Sequence, residues 1–367
     1  MRFGFLSEAE TPVGTTHYHR YWEVMDEAIL AEAMGFDFFG TSEQHLLGGL
    51  ASVSAPETFY AAIAMKTSRI KLRHMVVILP MQFNHPIRVA ERIATLDIVS
   101  HGRAELGTGR ANTLIQLDAF ECPLDETRAL WQEALIVVMK ALKNDPFEHQ
   151  GHYFKIPPRS LTPKCVQNPH PPVFMVCQSE ESHGVAALNG IGTLSWDMYM
   201  GWDYFKKCTD VYKNAIGKHP PVGAIATNSF GAVSLNAVCA DTMAGARKQA
   251  HDSVMRFATP VIEELYPDLG RRSKSYAYTL ELEKIRHRAR DYEWLCNETS
   301  ILVGDPDFFV ERIQRYKDMG ADEIILRLDG DHAQIKRSIE LIGKHVIPKF
   351  KNPMMVLREN PMAGPVP

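Results

Sequence analysis

The sequence has almost no excess of charge of either sign, and it lacks long apolar runs. Its 40 lysines and arginines nearly balance 44 aspartates and glutamates, leaving a net charge of −4. Nucleic-acid binding requires a concentrated basic face, so we predict no nucleic-acid partner. No apolar run approaches the roughly 18 residues that span a bilayer, so we predict no membrane partner either.

The cysteines are few and scattered, and none belongs to a C-x-x-C pair. This spacing excludes the common zinc and dithiol motifs, so no metal is predicted. Unpaired thiols dispersed through a long chain are typical of a reducing compartment, which favours a cytoplasmic location. The six positions are Cys122, Cys165, Cys177, Cys208, Cys239 and Cys296.

What the sequence does contain is a repeated alternation of short apolar runs and longer amphipathic segments. Arg2–Leu6 is strand-like, and Tyr21–Met34 has helical periodicity and ends at Gly35. About eight such units follow one another, which predicts parallel strands joined by helices. Eight units favour a closed (β/α)8 TIM barrel, and a doubly wound open sheet is the alternative.

We expect one domain over residues 1–350, with extra length placed in two insertions. Phe147–Pro172 follows strand four, and Pro260–Thr299 follows strand seven. Because long loops in compact domains tend to be functional, the second insertion is a candidate flap over the site. Residues 351–367 contain four prolines and are predicted to form a separate tail.

In a barrel of this type the active site lies at the carboxyl ends of the strands, so the residues that follow each run are the candidates. Several of these short segments carry polar, basic or aromatic side chains. They are Thr41–His45 after strand two, Gly107–Asn112 after strand four, Cys177–His183 after strand five and Ser195–Asp197 after strand six.

The side chains in these segments suit a bound phosphate and a flat ring. Arg110 has the forked geometry that phosphate prefers, and Ser179 and Ser182 precede a helix whose free N–H groups favour an anion. Trp196 offers an apolar face, and His45 titrates near neutral pH. Each has an ordinary alternative: an ion pair, a helix cap, a core aromatic or a solvent-facing histidine. Their convergence at one barrel mouth favours the binding site.

Recognisable motifs follow one another in a characteristic order along nearly the whole chain, to about residue 350. The chain resembles the bacterial-luciferase-like flavin-dependent monooxygenases. The resemblance implies a (β/α)8 barrel and a homodimer. The motifs that carry it include Glu43-Gln44-His45, Val77-Ile78-Leu79-Pro80, His85-Pro86-Ile87-Arg88, Gly107-Thr108-Gly109-Arg110, Ser195-Trp196, Val303-Gly304-Asp305-Pro306 and Met319-Gly320-Ala321-Asp322.

The same resemblance implies a cofactor and a reaction. Reduced FMN (FMNH2) from a separate flavin reductase would react with O2, and the resulting flavin C4a-hydroperoxide would insert one oxygen atom into a small organic substrate. A cis peptide bond between Met75 and Val76 would lie beneath the flavin ring. The residues implied to bind the cofactor are Met75, Val76, Arg110, Gln178, Ser179, Ser182 and Trp196.

One position departs from the family pattern. Luciferase-like relatives carry two adjacent histidines after the acidic residue, whereas here the first is Gln44 and only His45 remains. Glutamine hydrogen-bonds but does not titrate, so Gln44 and His45 are both candidate catalytic residues. Three other functions stay open: an F420-dependent oxidoreductase, a non-catalytic flavin-binding subunit, and a metal-dependent hydrolase that uses His17 and His19.

Overall fold

The computed structural model describes residues 1–11 and 14–351. The predicted proline-rich tail therefore lies outside the described residues, apart from Lys351. Within the described ranges, no helix has both the length and the apolar character that a bilayer-spanning segment needs.

Eight parallel strands close into a barrel, which confirms the predicted (β/α)8 fold and excludes the open sheet. Hydrogen-bonded neighbours run β1-β2-β3-β5-β8-β9-β10-β12, and β12 pairs with β1 to complete the circle. Outside the circle, β4 extends along β5 and β11 pairs with the end of β10, while β6 and β7 form an antiparallel hairpin. The strands are β1 (Arg2–Leu6), β2 (Phe38–Thr41), β3 (Lys71–His74), β4 (Val77–Ile78), β5 (Ala104–Gly109), β6 (Phe147–Gln150), β7 (Lys155–Arg159), β8 (Val173–Cys177), β9 (Gly192–Ser195), β10 (Phe230–Cys239), β11 (Leu302–Gly304) and β12 (Glu323–Leu328).

Helices surround the barrel, and their ends follow the local capping chemistry. Pro86 occupies the first turn of α3, as predicted, because its missing N–H has no partner there. Gly35, with φ +90°, follows α1 in a conformation that a side chain disfavours. The helices are α1 (His17–Ala33), α2 (Pro56–Ala64), α3 (Pro86–Val99), α4 (Leu114–Ala119), α5 (Thr127–Lys143), α6 (Glu180–Leu188), α7 (Trp202–Ala215), α8 (Met243–Pro260), α9 (Tyr266–Arg272), α10 (Tyr292–Glu298), α11 (Pro306–Asp318), α12 (His332–Leu341) and α13 (Ile347–Phe350).

A buried ion cluster fills the floor of the barrel. Arg73 is fully buried and lies between the rings of Phe38 and Phe174, at 3.8 and 3.7 Å from their centroids. Its guanidinium donates to Glu105 at 2.6 Å and to Glu323 at 2.5 Å. Arg2 binds the same two carboxylates from the rim, at 2.8 Å each. The floor is therefore held by charge as well as by apolar packing.

Three sequence-based expectations about the elements need correction. The apolar run Ile70–Leu79 predicts one strand, but the structure divides it into β3 and β4, which are separated at Met75 and Val76. The run Ala224–Ala237 predicts a strand that starts at Ala224, whereas β10 begins at Phe230. The insertion over 260–299 is not an open loop: it contains a π-helical turn (Val261–Leu265), α9, a 3₁₀ helix (Lys274–Arg288) and α10.

Candidate active site

A cavity of about 500 Å³ opens at the carboxyl ends of the barrel strands. Its lining combines many apolar side chains with a smaller number of polar ones. Every residue that the sequence proposed for the cofactor borders this cavity: Met75, Val76, Arg110, Gln178, Ser179, Ser182 and Trp196. The apolar walls include Leu6, Ile78, Met175, Val176, Leu194, Val233, Leu235, Phe257 and Val261.

One end of the cavity is the amino terminus of α6. Ser179 caps this helix, and its hydroxyl accepts from the N–H of Ser182 at 3.2 Å. The Ser182 hydroxyl accepts from the N–H groups of Ser179 and Gln178 at 3.0 and 3.1 Å. The two serines thus form a capping box, and they also border the cavity at a helix end that favours an anion.

Arg110 supplies positive charge to the same end. One guanidinium nitrogen, Nη2, donates to the backbone carbonyl of Ser275 at 2.8 Å, and Nη1 donates to the Thr127 hydroxyl at 3.3 Å. The guanidinium lies over the Tyr276 ring at 4.3 Å. The second insertion therefore packs directly against Arg110, the side chain that the sequence predicts to bind a phosphate.

Two tyrosines of that insertion, Tyr266 and Tyr278, also border the cavity, and neither was among the residues predicted from the sequence. Gln178 donates to the Tyr266 hydroxyl at 3.1 Å and accepts from the Tyr278 hydroxyl at 2.9 Å. Asn112 donates to Tyr266 at 2.6 Å. Burial raises the pKa of both phenols, so they are neutral hydrogen-bonding groups. Nothing in the local sequence around 266–278 indicated which strand end this segment would cover.

Trp196 borders the cavity, and its indole N–H has no hydrogen-bond partner in the part of the chain that the structure describes. Its ring meets Tyr199 and Tyr266 edge to face, with centroids 5.3 and 5.8 Å away. The indole Nε1 is buried and makes no hydrogen bond within the described structure. A buried N–H without a partner is costly, so this atom fits a ligand acceptor in the cavity.

The break between β3 and β4 places Met75 and Val76 at the cavity wall. The Met75 N–H donates to Thr41, and the carbonyls of Met75 and Val76 accept from the Ser42 hydroxyl and the Glu43 N–H. The expected cis bond between Met75 and Val76 is wrong for this structure. Within residues 1–11 and 14–351, the cis bonds are those before Pro146, Pro163 and Pro169.

Gln44 and His45 lie in different surroundings. Gln44 borders the cavity, where it donates to Glu8 at 3.2 Å and accepts from Gln116 at 2.9 Å. His45 does not border the cavity. Its Nε2 is 3.1 Å from Glu43, and its ring packs on Phe120 at 4.8 Å. Of the two candidate catalytic residues, only the one that cannot titrate faces the cavity.

Glu8, which was not among the residues predicted from the sequence, is one of four carboxylates of the described residues that border the cavity, together with Glu43, Glu264 and Asp268. It follows β1, so it occupies a strand-end position like those that were inspected after the later strands. The sequence pattern that could have pointed to Glu8 is a charged residue two positions after the end of a buried strand.

The structure gives no support to a metal-dependent hydrolase. His17 and His19 lie in the first turn of α1, where Thr16 caps the helix and contacts the His19 ring at 2.9 Å. In the described part of the chain, no three histidine, cysteine, aspartate or glutamate side chains are grouped as a metal site would require. The six cysteines form no disulfide, and five of them are buried.

Comparison with known proteins agrees with this architecture. The family model for luciferase-like monooxygenases matches residues 1–323. The 3,6-diketocamphane 1,6-monooxygenase of Pseudomonas putida is 25% identical, and the match covers 89% of this chain and 92% of that protein.

Two solved structures show the same fold at lower identity. The oxygenating constituent of 3,6-diketocamphane monooxygenase from Pseudomonas putida, a type II Baeyer–Villiger monooxygenase in complex with FMN, has a TM-score of 0.71 at 22% identity, over 96% of this chain and 99% of that one. The coenzyme F420 dependent tetrahydromethanopterin reductase of Methanopyrus kandleri has a TM-score of 0.69 at 18% identity, over 95% and 99%. Because the family model spans most of its length, this chain belongs to the luciferase-like monooxygenases and is an oxidoreductase.

Proposed function

We propose that the protein is the oxygenase component of a two-component system. It uses reduced FMN from a separate reductase, together with O2, to insert one oxygen atom into a small organic substrate. The observation that carries the proposal is the cavity itself, whose lining includes Arg110, a helix amino terminus, many apolar side chains and Trp196 with its unpartnered indole N–H. The relative solved with FMN supports the choice of cofactor, and its description as an oxygenating constituent supports a separate reductase.

The residues present fit a flavin mononucleotide. Arg110 and the end of α6 at Ser179 and Ser182 would hold the phosphate, since charge-assisted bonds and a helix dipole both favour an anion. Trp196 and Gln178 would border the ring system. When bound, the reduced flavin supplies the electrons that activate O2.

The chain's own contribution is to bind, orient and exclude water. The apolar lining from Leu6, Val76, Ile78 and Val233 leaves little for water to hydrogen-bond, which suits a water-sensitive reaction. Gln44 offers an amide to an oxygen atom of the substrate. Further apolar side chains near Gln44, including Leu47 and Leu50, favour an organic substrate over an ionic one.

The test is an anaerobic titration with FMNH2, followed by mixing with O2 while the flavin absorbance is recorded. We expect Arg110→Ala to weaken FMNH2 binding roughly 10- to 100-fold, because a charge-assisted hydrogen bond contributes about 1.5–3 kcal/mol. Arg88→Ala is the matched control, since Arg88 is exposed on α3 and pairs with Glu91. Equal binding by both variants would contradict the assignment of the phosphate to Arg110.

Parallel titrations separate the alternatives that the sequence left open. Reduced F420 replaces FMNH2 in one series, and binding of F420 alone would favour hydride transfer. Binding of FMNH2 without turnover of any member of a panel of aldehydes, ketones, aromatics and sulfur compounds would favour a non-catalytic flavin-binding subunit. The homodimer and the cytoplasmic location remain predictions, which sedimentation and cell fractionation test directly.

A further inference from the structure

Three carboxylates surround a single buried arginine, and one of them, Glu8, borders the cavity. Arg327 lies on β12 and is almost fully buried. Its Nη1 is 3.2 Å from Glu10 and 3.8 Å from Glu8, and its Nη2 is 3.3 Å from Asp329. The pairing of β1 with β12, with Leu6 opposite Arg327, brings these groups together.

This cluster has fewer positive than negative charges. Among the described residues, Arg327 is the only basic side chain within ion-pair distance of the three carboxylates. Arg20 also contributes positive charge near Glu10, although its guanidinium is bonded to Glu27. The other neighbours are neutral: Tyr199 and Tyr266 are phenols, and Phe257 lies under the guanidinium at 4.2 Å. Buried like charges cannot all remain ionised at low cost, so such a group tends to retain a proton.

Position and distance, rather than hydrogen bonds, distinguish the three carboxyls. Asp329 accepts from Asn236 at 2.7 Å in addition to its contact with Arg327, and burial raises its pKa as well. Glu10 is the closest to Arg327, and 28% of its side chain is exposed. Neither of these two residues borders the cavity.

Glu8 is the one of the three carboxylates that borders the cavity. It is the farthest of the three from Arg327, and Gln44 donates to it at 3.2 Å. The neighbouring Ser42 hydroxyl already donates its only proton to the carbonyl of Met75 at 2.5 Å. Burial raises the pKa of the Glu8 carboxyl, and the charge of Glu10 acts in the same direction.

We propose that Glu8 is the proton-donating catalytic residue of this site, in place of the titratable group that the chain lacks at position 44. The inference rests on the proposed function for the identity of the reaction. Overall, substrate, O2 and FMNH2 give oxygenated product, water and FMN: the O–O bond breaks, one oxygen atom bonds to the substrate, and the other leaves as water. FMNH2 supplies the two electrons and releases two protons, which balance the two hydrogens of the water. The O–H bond of Glu8 breaks as its proton bonds to the departing oxygen, and the carboxylate is then reprotonated from solvent, which receives the protons that the flavin releases. Glu8 is neither oxidised nor reduced, and Arg327 and Gln44 stabilise the carboxylate during this interval.

The protonation of Glu8 can be measured without any cofactor. Protein labelled with ¹³C at the glutamate carboxyl carbon is titrated by NMR, and the Glu8 signal is assigned as the one that Glu8→Gln removes. We expect it to titrate above the ordinary glutamate range. In Glu10→Gln the loss of a neighbouring negative charge lowers that midpoint. A Glu8 signal with an ordinary or depressed midpoint would overturn the proposal.

Turnover with FMNH2 and O2 tests the catalytic role. We expect Glu8→Gln to lower kcat by roughly 10²- to 10⁴-fold. It should also abolish the high-pH limb of the pH profile of kcat, which is the fall in kcat that follows when Glu8 loses its proton. FMNH2 binding should be unchanged, and Glu8→Asp should restore part of kcat together with the limb. Full turnover by Glu8→Gln would refute the role. Failure of the unmodified protein to bind FMNH2 would instead refute the proposed function, and the NMR titration would still decide the protonation of Glu8.

Discussion

Removal of the arginine in the barrel floor gives the sharpest test of how this fold is held together. Arg73→Met replaces a fully buried guanidinium by an apolar side chain of similar length. It leaves Glu105 and Glu323 buried, with Arg2 as their remaining cationic partner. Because a buried carboxylate without its partner is costly, we expect a loss of about 3–5 kcal/mol in the free energy of unfolding.

The protonation equilibrium of Glu105 gives an independent measure of the same interaction. Burial alone would raise the pKa of this carboxyl, but Arg73 and Arg2 more than offset it and lower the pKa to about 2. Relative to an ordinary glutamate this is worth ~3 kcal/mol. The stabilisation is present above the unfolded-state pKa and is lost as the pH falls toward that of the folded state.

The assay is thermal or urea unfolding of the unmodified protein and of Arg73→Met, at pH 7 and at pH 3. The difference between the two proteins should be large at pH 7 and smaller at pH 3, because at pH 3 the glutamates of the unfolded chain are protonated and the buried carboxyls of Arg73→Met, without their partner, also take up protons. Arg2→Met is the matched control. It contacts the same carboxylates from a side chain that is 37% exposed, and it should lose only about 1 kcal/mol. Equal melting of Arg73→Met and the unmodified protein at pH 7, or a difference that persists undiminished at pH 3, would refute the reasoning.

Two further variants test positions close to the cavity. Gly107→Ala would place a Cβ 1.9 Å from the backbone carbonyl oxygen of His74, so we expect the free energy of unfolding, measured in urea, to fall by about 1–3 kcal/mol. The control is Gly184→Ala, where the new Cβ makes only an ordinary contact within a helix, and it should be neutral or slightly stabilising. Burial lowers the pKa of His183 to about 4, and its neutral ring is bonded to Ser179 and Ser195 at 2.7 Å each. The unfolded chain therefore binds more protons below about pH 6.5, and stability should fall between pH 6.5 and 4 by up to ~3 kcal/mol. His183→Gln should melt with a smaller decrease between pH 7 and 5, and an equal decrease in both proteins would contradict this assignment.

The barrel could be predicted from the sequence because parallel strands buried on both faces produce apolar runs that need no tertiary information. The break at Met75 and Val76 could not, since residues 75–79 are continuously apolar and the interruption arises from hydrogen bonds to Thr41, Ser42 and Glu43. The helical character of the second insertion was also missed. Pro260 lies where α8 passes into the π-helical turn, and Pro267 lies in the first turn of α9, where its missing N–H breaks no hydrogen bond.

The site was predictable in part for a related reason. Arg110, Gln178, Ser179, Ser182 and Trp196 were found because strand ends are visible in the sequence and converge in any barrel. Tyr266 and Tyr278 reach the cavity from a distant insertion, which no local pattern reveals. Adjacent residues in an extended segment point in different directions, so the sequence could not show that Gln44, rather than His45, would face inward.

The hydrogen bond from Arg110 to the Ser275 carbonyl has a thermodynamic consequence for whatever anion binds there. A phosphate that accepts a hydrogen bond from the same Nη2 hydrogen displaces that carbonyl, and the measured affinity is then the free energy of the new contact less the cost of breaking the old one. Ligand affinity and the local stability of the 3₁₀ helix Lys274–Arg288 are then linked functions. Substitutions on the outer surface of that helix, far from any substrate, would therefore change the cofactor affinity, because Arg110 gives up a hydrogen bond to the helix when it binds the phosphate.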